Sequence, residues 1–147
     1  MNGKRTRRAT IGAFAVLATS IAWTQPVVTA RAITTVTPVV VTIGFDDGTV
    51  DQFDALQALN DHGMHATFFI NSGPVAAEDP DHMSVAQLGA LAAAGNEIGG
   101  HTVDHANIQP LSTAEATAEV CDDRATLMGW GATWGFTVTS FAYPFGS

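Results

Sequence analysis

A chain of 147 residues is about one domain, and 46% apolar against 14% charged residues excludes a charge-rich disordered tail. Its formal net charge of −8 is unevenly spread: all fourteen acids lie at or after Asp46, and five of the six bases lie at or before Arg31. An acidic body of this kind repels nucleic acids and anionic membranes, which points to a neutral or cationic substrate and to no nucleic-acid partner.

Residues 1–32 read as a signal peptide. The basic start "MNGKRTRR" precedes an apolar stretch, "IGAFAVLATSIAW" (11–23), too short for the ~20 residues of a membrane span. Small residues then offer cleavage after Ala30 or Ala32. The stretch "TRRATIGAF" fits twin-arginine export, and the general secretory route serves equally. A secreted protein with no stable membrane span after cleavage is expected. Cleavage after Ala32 leaves Arg124 alone against fourteen acids, a net charge of −13. Residues 33–38 form a linker ended by Pro38. Cys121 has no second thiol to pair with and reads as a small buried helix residue.

Strand-like and helix-like segments then alternate. "VVVTIGF" (39–45) is a β-branched run of the kind found in strands buried on both faces. A helix over 49–63 follows, with Phe53, Leu56 and Leu59 at helical spacing and Gly63 as its stop. "HATFFI" (65–70) is the second strand, and "NSGPVAAEDPDH" (71–82) is a loop by its Gly and Pro content. Ser84 caps a helix that Gly95 closes, and "NEIGG" (96–100) is the third strand, running into "HTVDH" (101–105). Ser112 with Glu115 makes a capping box for a helix over 113–130, on which Val120, Cys121, Leu127 and Met128 share a face. Trp130 and Trp134 fall in a glycine-rich loop and read as packing residues, and "TVTSFAYPF" (137–145) is a fourth strand.

This alternation implies parallel strands with helical crossovers, either an α/β barrel or an open α/β sheet. Chemistry in such folds collects at the carboxyl ends of the strands. Asp46 and Asp47 follow the first strand, His101 and His105 the third, and Tyr143, Pro144, Phe145 and Gly146 the fourth.

His101 and His105, four residues apart, share one side of a turn; neutral imidazoles suit zinc or another divalent transition metal, and a carboxylate can complete the set. Thr102 stands where the zinc-protease helix signature has glutamate, which rejects that reaction. Two adjacent aspartates before a glycine are either a solvated turn or two acids with different tasks at one site. Neighbours on a strand point to opposite faces, so one can ligate a metal while the other stays free as a base, and the metal's charge relieves their repulsion. His62 and His82 read as solvated loop residues and His65 as structural.

In this order, "IGFDDG", "ATFFI", "GNEIGGHTVDH" and "FAYPFG" resemble the polysaccharide deacetylases of carbohydrate esterase family 4, the NodB-homology domain, over residues 39–147. The resemblance implies a distorted (β/α) barrel. It implies a metal-dependent hydrolase that removes acetyl groups from N-acetylglucosamine polymers such as chitin or peptidoglycan, or from acetylated xylan. It also implies Asp46 as the catalytic base and Asp47, His101 and His105 as ligands of zinc, with cobalt as the alternative. The backbone N–H of Phe145 matches the family's oxyanion donor, whereas Thr102 and Asp104 are not ligands by this mapping. Ala142 stands where the family commonly has an arginine that orients the base. The family's later motifs, an apolar acetyl pocket and a histidine acting as general acid, have no counterpart before Ser147. The expectation is therefore the N-terminal part of the barrel only, acting as a monomer on an acetylated polysaccharide. Two further readings stay open: a truncated remnant that binds metal or glycan without turnover, and an amide hydrolase of the same superfamily acting on a small molecule.

Overall fold

A computed structural model describes residues 39–146; the signal peptide and linker expected over 1–38 lie outside the described residues. Three strands form one parallel sheet in the order β1 (Gly44–Phe45), β2 (Thr67–Ile70) and β3 (Glu97–Gly100). Phe45 pairs with Phe68, and β2 runs in register with β3 from Thr67↔Glu97 to Ile70↔Gly100.

Parallel pairing requires crossovers. A 3-10 turn at Val50–Asp54 leads into α1 (Ala55–Asp61) between β1 and β2, and α2 (Ser72–Ala76) and α3 (Val85–Ala93) join β2 to β3. Beyond β3, α4 (Thr113–Trp134) returns the chain to the sheet, where Gly100 and Phe141 make a parallel bridge. Both long helices begin at capping boxes: Ser84 exchanges hydrogen bonds with Gln87, and Ser112 with Glu115. Gly135, at φ 81°, ends α4 in the left-handed conformation glycine adopts without strain.

The core lies between the sheet and helices α3 and α4. Phe68, Ile70, Leu88, Leu91, Ile98, Leu127 and Val138 are buried there, each side chain of this size contributing about 1.5–3 kcal/mol when removed from water. No helix among the described residues is long and apolar enough to cross a membrane.

The α/β architecture with parallel strands agrees with the sequence reading, and six features depart from it. The expected strand over 39–45 shrinks to two residues, with Val39, Val40 and Val41 at 88%, 80% and 80% exposure. Its partner β2 starts only at Thr67, which leaves the valines nothing to pair with among the described residues. The expected loop over 71–82 contains α2, whose Pro74 sits in the first turn, where a missing N–H costs no hydrogen bond. Trp130 and Trp134 are in α4, not in a loop; Gly89 on α3 leaves room for the Trp134 ring, 2.3 Å from where a Cβ would stand. The expected fourth strand is reduced to the bridge at Phe141, because the Val138 N–H turns to the Met128 sulfur at 3.2 Å. Cys121 is exposed, on the outer face of α4. His82 is half-buried rather than solvated, paired through its backbone with Thr49.

Candidate metal centre

Two loops meet at the carboxyl end of the sheet. The chain leaves β1 through Asp46 and turns sharply at Asp47, which has φ 77°, so the two aspartates are not opposed along a strand as the sequence implied. Asp46 is exposed and its backbone carbonyl accepts from Gln52 Nε2 at 2.5 Å. Asp47 is half-buried and points its Oδ1 at the histidine loop. His101 Nε2 lies 3.3 Å and His105 Nε2 3.2 Å from that oxygen, and the two rings are 5.0 Å apart.

This donor set fits a metal ion. The carbonyl of Ala142 lies 2.9 Å from His101 Nδ1; a carbonyl can only accept, so Nδ1 carries a proton, and in the neutral ring Nε2 presents a lone pair. That lone pair faces Asp47 Oδ1, which is shielded from solvent and accepts no hydrogen bond. Two acceptors this close repel each other unless a cation or a shared proton lies between them. One carboxylate oxygen and two imidazole nitrogens, all within 4.8 Å of one another, are the ligand types divalent zinc takes.

The backbone around the cluster is strained in one place. Five described residues other than glycine have positive φ, and four of them are Asp47, Thr102, His105 and Phe145. A β-branched residue such as Thr102 rarely adopts this conformation; it persists here because Thr102 is completely buried and its Oγ1 accepts from the Ala106 N–H at 3.2 Å. Such strain concentrates at functional sites. Phe145, 69% exposed, sets its ring edge-on to His105 at 4.8 Å. Asp104 is not one of the three residues of the cluster.

The histidine loop is held by side chains that the sequence reading passed over. Asn71 Nδ2 donates to the carbonyls of His101 (2.5 Å) and Thr102 (3.2 Å). Asp123 accepts from the backbone N–H groups of Ser72 and His101. Burial pushes the Asp123 carboxyl up to about 6, against those hydrogen bonds, which favour its ionised form. Glu119 Oε2 accepts from the Asp104 N–H at 3.2 Å. The signal for Asp123 was present in the chain: it lies on the core-facing stripe of α4, four residues before Leu127.

Fold and cluster together define a parallel α/β protein with one carboxylate and two imidazoles gathered at the carboxyl end of its sheet. The family model for polysaccharide deacetylase matches residues 34–147, and the chain belongs to that family. YxkH of Bacillus subtilis (strain 168), a polysaccharide deacetylase by name, is 32% identical over 85 residues, 57% of this chain and 30% of YxkH. The family 4 carbohydrate esterase of Streptomyces lividans, solved with acetate, superposes with a TM-score of 0.60 at 28% identity, covering 73% of this chain and 52% of its own. The deacetylase PplD of Streptococcus pyogenes, also solved with acetate, shares the fold with a TM-score of 0.65 at 22% identity, over 70% of this chain and 45% of its own. The chain thus spans about a third to a half of the relatives it matches.

Proposed function

We propose that this chain is the metal-binding part of a hydrolase that removes acetyl groups from a polysaccharide, either an N-acetylglucosamine polymer of the chitin or peptidoglycan type or acetylated xylan. The observation that carries the reading is the convergence of two imidazole nitrogens on Asp47 Oδ1, a shielded oxygen with no hydrogen bond. Family membership supports the reaction class.

In this reading Asp47, His101 and His105 hold the ion, with zinc favoured and cobalt accepted by the same ligands. A bound divalent ion supplies Lewis acidity and lowers the pKa of water to about 7. Asp46, exposed and outside the cluster, is assigned the proton of the attacking water, a general-base role worth ~10²–10⁴ in rate. The backbone N–H of Phe145 is assigned to the oxygen of the acetyl group as it gains charge, where one lost donor costs ~10²–10³ in rate. The Phe145 ring against His105 couples this donor to the ligand loop. The same reading puts the protein outside the cytoplasm, which the N-terminal mass of the exported chain, starting after Ala30 or Ala32, checks.

The test is acetate released from acetylated chitooligosaccharides and acetylated xylan, with and without a chelator. Expected are chelator-sensitive release and a ~10²–10⁴-fold loss in Asp46→Asn with unchanged metal stoichiometry. No release from any acetylated glycan while metal is bound would instead establish a binding module without turnover.

A further inference from the structure

On the face of α4 turned to the sheet, Asp123, Leu127 and Gly131 are buried at four-residue spacing, so a carboxylate occupies a position where apolar residues serve. Asp123 is fully enclosed. Its two oxygens have separate partners: Oδ1 accepts from the Ser72 N–H at 3.0 Å, and Oδ2 from the His101 N–H at 3.1 Å, a donor it shares with the Ile70 carbonyl at 3.0 Å. Gly100 makes room for it, since a Cβ there would stand 2.7 Å from Asp123 Oδ2.

Burying a carboxylate costs several kcal/mol, and stability alone is often better served by an apolar residue of similar volume. What Asp123 does that an apolar residue cannot is grip a particular peptide. Ser72 stands two residues beyond β2, and His101 is the first residue beyond β3. The peptide on the other side of His101 is gripped as well, by Asn71 on the carbonyls of His101 and Thr102. The Ala142 carbonyl then fixes the imidazole rotation through Nδ1. Backbone before, backbone after and ring are each held, which leaves Nε2 one direction, toward Asp47 Oδ1.

We propose that Asp123 is a positioning residue for metal ligation, setting through the His101 N–H the direction in which His101 Nε2 meets the ion. The inference rests on the metal-site reading above. Groups behind a ligand commonly contribute ~10–100-fold to metal affinity, because a ligand held in place does not have to be ordered on binding.

The experiment is a cobalt(II) titration, followed by the visible ligand-field band, on the wild-type chain, Asp123→Ala, Asp123→Asn and Leu91→Ala. Leu91→Ala is the stability control, removing a fully buried side chain on α3. Asp123→Ala is expected to bind cobalt ~10–100-fold more weakly with a shifted band. Asp123→Asn, which keeps the volume and one acceptor, loses less. Leu91→Ala melts lower yet keeps the wild-type affinity and band while folded. Wild-type affinity and band in both Asp123 variants would overturn the proposal, and Asp123→Asn alone decides if Asp123→Ala does not fold. A wild-type chain that binds no cobalt sinks the metal-site reading instead. Amide exchange in the metal-free chain then decides: Asp123→Asn must speed exchange at His101 and Ser72 but not at Ile98, and equal rates overturn the positioning role.

Discussion

The histidine loop after β3 and the aspartate loop after β1 meet at one oxygen, Asp47 Oδ1, yet they are held in different ways. Between His101 and Ala106 the backbone is clamped by Asp123, Asn71 and Glu119, by the Gly73 N–H on the Val103 carbonyl at 2.8 Å, and by the Thr102 hydroxyl. The aspartate loop follows a two-residue edge strand and has fewer ties: Gln52 on the Asp46 carbonyl, the Met83 N–H on the Gly48 carbonyl, and the Val50 N–H on the Asp81 carbonyl. The histidine loop is therefore held by more partners from other elements than the aspartate loop.

The strongest way to break this comparison is to remove one ligand from each side. Both Asp47→Ala and His101→Ala are expected to lower zinc or cobalt affinity by more than the ~100-fold that groups behind a ligand reach. Their effects on the metal-free chain should separate. His101 is buried and bonded to the Ala142 carbonyl, so its loss destabilises by about 1–3 kcal/mol. Asp47→Ala removes an unpartnered acceptor, and the metal-free chain keeps its stability or gains slightly. Equilibrium dialysis reads the metal and urea melts read the stability; equal destabilisation by the two variants would show that the aspartate loop is as rigid as its partner.

Backbone contacts give the next largest effect. A Cβ on Gly73 would stand 2.7 Å from the Val103 carbonyl and 2.3 Å from Asp104 Oδ1, so Gly73→Ala must push the histidine loop away. Overpacking of this kind costs about 1–3 kcal/mol. Gln52→Ala, on the aspartate side, removes one exposed hydrogen bond and costs about 0.5–1.5 kcal/mol. Urea melts giving Gln52→Ala the larger loss would reverse the ranking of the two loops.

The more rigid side is also the less legible one. Asp47, His101 and His105 could be singled out in the sequence because a metal demands particular residue types, and two of them sit four apart. Asn71 could not, because it works by meeting a backbone carbonyl 30 residues away that only the register of β2 against β3 brings near; Asp123 shows in the sequence only as an acid on the core-facing stripe of α4, and the packing of that helix on the sheet supplies its partner 22 residues away. Local pattern misled at the sheet edge for a related reason. Val39, Val40 and Val41 have the composition of a buried strand, but composition does not say whether a neighbour reaches them, and β2 starts too late. The cap at Ser84 and the capping box of Ser112 with Glu115 were legible because every partner lies within three residues.

The smallest expected effect concerns how far the rigidity of the histidine side extends down β3. Glu97, at the opposite end of that strand from His101, accepts from Thr67 Oγ1 at 2.8 Å and Thr139 Oγ1 at 3.3 Å. These hydroxyls, Thr67 first, hold its carboxyl below the ordinary 4.5 despite partial burial. A folded pKa below the unfolded one means that the ionised form contributes stability above 4.5, and that this contribution is lost as pH falls through the lower folded value. Wild type should therefore lose more stability than Glu97→Gln on acidification below 4.5, by less than the effects of Gly73→Ala. Thermal melts across that window check the slope, and parallel slopes would remove the network from the account of stability. Cobalt affinity at neutral pH sharpens the comparison. If Glu97→Gln leaves it unchanged, the ordering of His101 begins at the carboxyl end of β3, with Asp123 and Asn71; if affinity falls, the whole strand acts as part of the clamp.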